Sequence, residues 1–88
     1  PVFYLLLAFH AAVLAPPDDA VLHAVIVKLF ADRQLRVEPD VVRFLASRID
    51  RSIAAAAAAV AALDAAALAD GRAVTVPLVR QVLSAASK

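Results

Sequence analysis

The stretch RSIAAAAAAVAALDAAALADG, residues 51–71, decides the fold of this chain. Alanine is the best helix former because it loses no side-chain entropy, and six alanines stand in a row at 54–59. Asp50 or Ser52 can cap the start, and Gly71 is the natural left-handed stop. Ile53, Ala56, Ala57, Val60, Leu63 and Ala67 are expected to form the inward stripe. Alanines left on the outer side bring apolar surface without solubility, so that side is expected to pack closely on something. A tight bundle or a neighbouring domain would serve. Arg51 opens the rod, in what reads as its first turn. Arginine is always charged, and its planar fork matches phosphate oxygens. Read locally, the favoured reading of the same arginine is a surface residue paired with Asp50.

Upstream, Pro16 and Pro17 punctuate the chain, and Asp18 and Asp19 set acidic groups at a helix start. Leu22, Val25, Ile26, Leu29 and Phe30 then recur on one helical face, fading near Asp32 and Arg33. Pro39 suits a first helical position, with Val42, Leu45 and Ile49 sharing the next face. Downstream of the rod, Thr75 can cap a last helix that tolerates Pro77 in its first turn, with Leu78, Val79, Val82 and Leu83 facing the core. The expected architecture is all-α, a bundle of four helices near 18–33, 39–49, 51–70 and 76–86. Residues 1–15 form an apolar lead-in, and 16–88 the helical domain.

Composition narrows the function classes. Eighty-eight residues suffice for one small core. A net charge of +1 gives no strong electrostatic claim on nucleic acid or an anionic membrane. The absence of cysteine excludes disulfides, thiol catalysis and cysteine-metal sites, and fits a cytoplasmic setting. A single glycine leaves no glycine-rich phosphate loop. The apolar run at 2–15, interrupted by His10, falls short of the ~20 residues that cross a bilayer. It also lacks the basic flank and cleavage site of a signal peptide, so no membrane role is expected.

No catalytic or metal set emerges. His10 and His23 have no third ligand at sensible spacing, and His23 sits one turn after Asp19 as a modest helix pair. Ser47, Ser52, Ser84 and Ser87 lack an elbow motif or an obvious base. Arg33, Arg36, Arg43, Arg48 and Arg51 crowd one segment, but Asp32, Glu38, Asp40 and Asp50 are interleaved with them. Such mixing marks a solvated face, not a nucleic-acid track.

The strings PPDDAVLHAVIVKLFADRQLRVEPDVVRFLASRIDRS and VAALDAAALADGRAVTVPLVRQVL together resemble the C-terminal helical lid of AAA+ ATPases of the DnaA initiator family. The likeness is greatest to the short DnaA-related regulators of the Hda type, in their alphaproteobacterial form. It covers about 16–83. In that family the lid follows a nucleotide-binding α/β domain and closes over ATP or ADP held with magnesium, and a sensor arginine on the third lid helix points to the phosphates. The resemblance implies a regulator of chromosome replication initiation. Its partners would be the parent's nucleotide-binding domain, the DnaA initiator and the sliding clamp.

Arg51 is then the candidate nucleotide-binding sensor arginine. Counting back from Gly71 and Thr75 places the initiator's sensor arginine at Ala54, one turn beyond Arg51. Either Arg51 serves from one turn earlier, as an Arg-Ser pair does in the alphaproteobacterial regulators, or the role is lost. The lead-in also departs from the family, which has a polar, arginine-containing helix and a short strand there. Phosphate-loop and magnesium-binding motifs are not in these residues, so this chain by itself is expected to be no enzyme and to hold no cofactor firmly. With its domain-facing surface and the Val2–Ala15 segment otherwise meeting water, it is expected to self-associate. The lead-in is then either the end of the nucleotide-binding domain or an element exchanged with a second copy. The competing reading is a free-standing helical interaction module that dimerises through its apolar surface. An independent DNA-binding domain would need a polar recognition helix, and the last helix offers only Arg80 and Gln81.

Overall fold

The computed structural model describes residues 17–86. Four helices fill that span: α1 (Asp19–Asp32), α2 (Pro39–Arg48), α3 (Ile53–Asp70) and α4 (Val76–Ala86). No strand occurs among the described residues, so the all-α expectation holds. The lead-in, with His10, and the terminal Ser87 lie outside the described residues.

Each helix begins where its sequence satisfies, or dispenses with, a backbone N–H. The Asp18 carboxylate accepts from the Val21 N–H at 2.8 Å, and Asp19 adds an acid to the positively polarised first turn of α1. Pro39 opens α2, where the missing N–H has no helical partner to lose. The Ser52 hydroxyl accepts from the Ala55 N–H at 3.0 Å, so Ser52, not Asp50, caps α3. The Thr75 hydroxyl accepts from the Leu78 N–H at 3.4 Å at the start of α4.

Two helices end in the same motif through different residues. Gly71 stops α3 at φ 63°, and the Arg72 N–H reaches back to the Ala67 carbonyl at 3.0 Å. At the end of α1, Gln34 takes φ 58° and the Leu35 N–H reaches the Phe30 carbonyl at 2.9 Å. A left-handed glutamine carries a steric cost that glycine does not. The closing backbone bonds, and the packing of Leu35 and Val37 against the core, hold it there.

The core gathers Leu22, Val25, Ile26 and Phe30 of α1, Val41, Val42 and Leu45 of α2, and Val74, Leu78 and Val79 around the start of α4. Against them α3 buries Ala56, Ala59, Val60, Leu63 and Ala67. The rod's expected stripe needs one correction. Ala57 is exposed and Ala59 is buried in its place. Successive residues turn by about 100° around a helix, so Ala57 cannot share a face with Ala56 once Val60 and Leu63 point inward. The small buried alanines let neighbouring helices approach closely. Full burial of each large side chain stabilises by about 1.5–3 kcal/mol.

Direction follows from two ion pairs. Arg51, just before α3, meets Asp19 at the start of α1, and Arg33, just after α1, meets Asp64 well along α3, both at 2.7 Å. Hence α1 and α3 run the same way and present their N-terminal ends together. The short α2 packs on α1, and α4 packs on α3 and α2. By length and composition α3 could cross a membrane. In this fold its inward stripe is core, and Asp64 on its flank is bonded to α1's end.

Candidate functional site

Sequence singled out Arg51, and the structure moves it slightly. The chain leaves α2 through an extended Ile49 and a bend in which the Ser52 N–H bonds the Asp50 carbonyl at 2.8 Å. Ser52 itself is extended, at φ −146°, and α3 starts only at Ile53. Arg51 therefore lies outside the helix, immediately before its cap, and not in the first turn. Its expected partner also changes. The guanidinium Nη2 lies 2.7 Å from an oxygen of Asp19, not against Asp50. Its stem reaches across to α1 from the bend that precedes α3.

Asp19 is accordingly held by Arg51, and no bond joins it to His23 one turn on, as the helix-pair reading expected. His23 is half-buried and lines a groove of about 560 Å³ with Asp19, Arg43, Ala46, Ser47, Ile49 and Arg51. Within the groove Arg43 pairs with Asp40 at 2.7 Å. The Ser47 hydroxyl donates to the Phe44 carbonyl at 2.7 Å, which ties it to its own helix and leaves it no base. No group of three or more His, Asp or Glu side chains converges among the described residues.

The charges at this end nearly balance, so what it offers an anion is two helix N-termini and arginines whose partners can be exchanged. The N-termini of α1 and α3 lie side by side, each carrying roughly half a positive charge. Arg51 and Arg43 add full charges. Against these stand Asp18, whose carboxylate caps α1, Asp19, paired with Arg51, and Asp40, paired with Arg43. The Arg51–Asp19 pair is exposed on both sides, 57% and 83%, and such pairs contribute about 1 kcal/mol or less. A phosphate oxygen arriving at the groove would meet a guanidinium that can exchange its partner at little cost. Phosphate therefore fits the residues present. Ala54, where the initiator's arginine would fall, is exposed in the first turn of α3 and offers no polar group.

The outer side of α3 is the other feature of note. Ala54, Ala57, Ala58, Ala62 and Ala65 are exposed, and Leu68 stands 82% exposed near the far end. Sequence reading anticipated bare alanine surface, but not which alanines form it. It also missed Phe44, whose ring collects Arg48 and Arg80 in a second hollow. The spacing of Phe44 and Arg48 on one helical face was available as a signal, whereas Arg80 arrives only through the fold.

The chain matches the family model described as Hda, lid domain, over residues 19–83, from the start of α1 into the last turns of α4. No curated protein and no solved structure matches it.

Proposed function

The chain belongs to the Hda lid-domain family, the helical lids of DnaA-related AAA+ regulators, and from that premise we propose that it closes over ATP or ADP in its full-length parent. The observation that carries the proposal is Arg51, an exposed guanidinium at the end where the N-termini of α1 and α3 come together. The nucleotide's phosphates would sit at that end, with Arg51 exchanging Asp19 for a phosphate oxygen. Bound magnesium nucleotide would supply the hydrolysable phosphoanhydride. This chain's own residues would bind and orient it and exclude water. Replication control through the initiator and the sliding clamp, in the cytoplasm, is the setting that family membership suggests.

The chain has no cysteine, so one introduced cysteine takes a spin label at a chosen site within the lid. A label on Ala54→Cys in the full-length protein is expected to broaden the phosphorus resonances of bound ADP. A label on Leu68→Cys, toward the opposite end of α3, should leave them sharp. Equal broadening from both positions would contradict the assignment of the phosphate-facing end.

The exposed alanine side of α3 favours a second statement. In the parent it packs against the nucleotide-binding domain, where small side chains allow close approach. In the isolated chain the same face, with Leu68, is expected to pair with a second copy. Sedimentation at rising concentration should show a dimer that Leu68→Lys returns to monomer. A strict monomer at high concentration would remove both this association and the free-standing dimerising module.

A further inference from the structure

Between α2 and α4 lies a hollow of about 310 Å³ lined by Phe44, Arg48, Arg80, Leu83 and Ser84. Two guanidiniums converge on one ring there. The Arg48 Cζ lies 4.8 Å from the Phe44 centroid and the Arg80 Cζ 5.4 Å. Stacking on the ring face is favourable for each cation alone. Two like charges over one ring also repel, and among the described residues no carboxylate offsets them. Elsewhere among the described residues, four of the other five arginines pair with an acid, and Arg36 does not. Arg33 has Asp64, Arg43 has Asp40, Arg51 has Asp19, and Arg72 has Asp70. Among the described residues no acid lines this hollow.

Two exposed guanidiniums side by side favour an anion, and the lining says which kind. Phe44 and Leu83 give an apolar floor and wall, so a bare inorganic ion would leave them unmatched. A nucleic acid would need a row of phosphate-spaced cations and a free aromatic face for a base. Here there are two cations, and they already crowd the ring. A carboxylate beside an apolar side chain satisfies both parts. The planar forks donate to the carboxylate, and the apolar group packs against Leu83 and the edge of the Phe44 ring.

We propose that this hollow is a docking site for an acidic segment of a partner protein, an Asp or Glu adjoining an apolar residue, its carboxylate bridging Arg48 and Arg80. The site is independent of nucleotide and of Arg51. It adds a protein-recognition surface to the α2–α4 side of the lid.

The test is a nitrogen–proton NMR titration of the chain with the probe peptide acetyl-Asp-Leu-Asp-Leu-amide. Saturable shifts are expected at Phe44 and at the Arg48 and Arg80 side-chain N–H groups. Arg48→Gln and Arg80→Gln should each weaken binding by roughly tenfold, and Arg36→Gln, an exposed arginine outside the hollow, should change nothing. Arg48 and Arg80 are both exposed, so these variants should keep the wild-type melting temperature. Three controls decide the chemistry: the Asn-Leu-Asn-Leu peptide, inorganic phosphate, and a short single-stranded oligothymidylate. Loss of binding with the amide peptide supports the site. Equal binding by phosphate alone, tighter binding by the oligonucleotide, or an acidic-peptide affinity unchanged in the arginine variants would each overturn it.

Discussion

Glutamate in place of Ala56 is expected to unfold the chain at room temperature, whereas glutamate in place of Ala57 should leave its melting temperature within a few degrees of wild type. The two positions are neighbours in a run of identical residues, yet Ala56 is 0% exposed and Ala57 faces water. At position 56 the carboxylate would be driven among Val60, Leu63 and the facing core, with no buried polar group there to receive it. The effective penalty for an unpaired buried charge is several kcal/mol, and the added volume must also displace neighbours. A small domain holds only about 5–15 kcal/mol in total. At position 57 the side chain projects into solvent near the positive end of α3, where surface changes stay within roughly 0.5 kcal/mol. Circular dichroism melts of the two variants decide the matter. Similar melting by both would mean that the rod's inward face has been assigned wrongly.

That contrast marks where the sequence stops being legible. Helix starts were readable because Asp18, Pro39, Ser52 and Thr75 carry their chemistry in the side chain or ring that satisfies, or dispenses with, a backbone N–H. Gly71 announced its own left-handed stop. In the alanine run, by contrast, six identical side chains carry no directional signal. Only Val60 and Leu63 fix the rotation, which is why Ala57 was placed inward and Ala59 was missed. Gln34 gave no warning either. Nothing in a glutamine advertises a positive φ, which here follows from the closing bonds and the burial around Leu35. The site was half legible. Arginine type and its position before the rod pointed to Arg51, but its partner lies at the start of another helix, and Asp19 could not be chosen over the adjacent Asp50 without the fold. The Phe44 hollow shares this limit, since Arg80 reaches it through tertiary packing alone.

The second large effect is expected at Arg51 in the full-length protein. Within this chain Arg51→Ala removes only an exposed ion pair, so thermal melts should shift by no more than about 1 kcal/mol allows. In the parent the same change would delete a charge-assisted bond to a nucleotide phosphate. Such bonds contribute about 1.5–3 kcal/mol, which corresponds to roughly ten- to a hundred-fold in affinity. Arg51→Lys should recover part of the loss, because the charge remains while the planar fork is gone. The separation of the two readouts matters more than either alone. A residue that served the lid's stability would move both. The measurement that bears most directly on the account is therefore a calorimetric titration of ADP into the full-length protein and its Arg51→Ala variant, run beside melts of the isolated chain. The account predicts a dissociation constant raised roughly ten- to a hundred-fold with the isolated chain's melting temperature unchanged. An unchanged dissociation constant would contradict it and return Arg51 to a surface partner of Asp19.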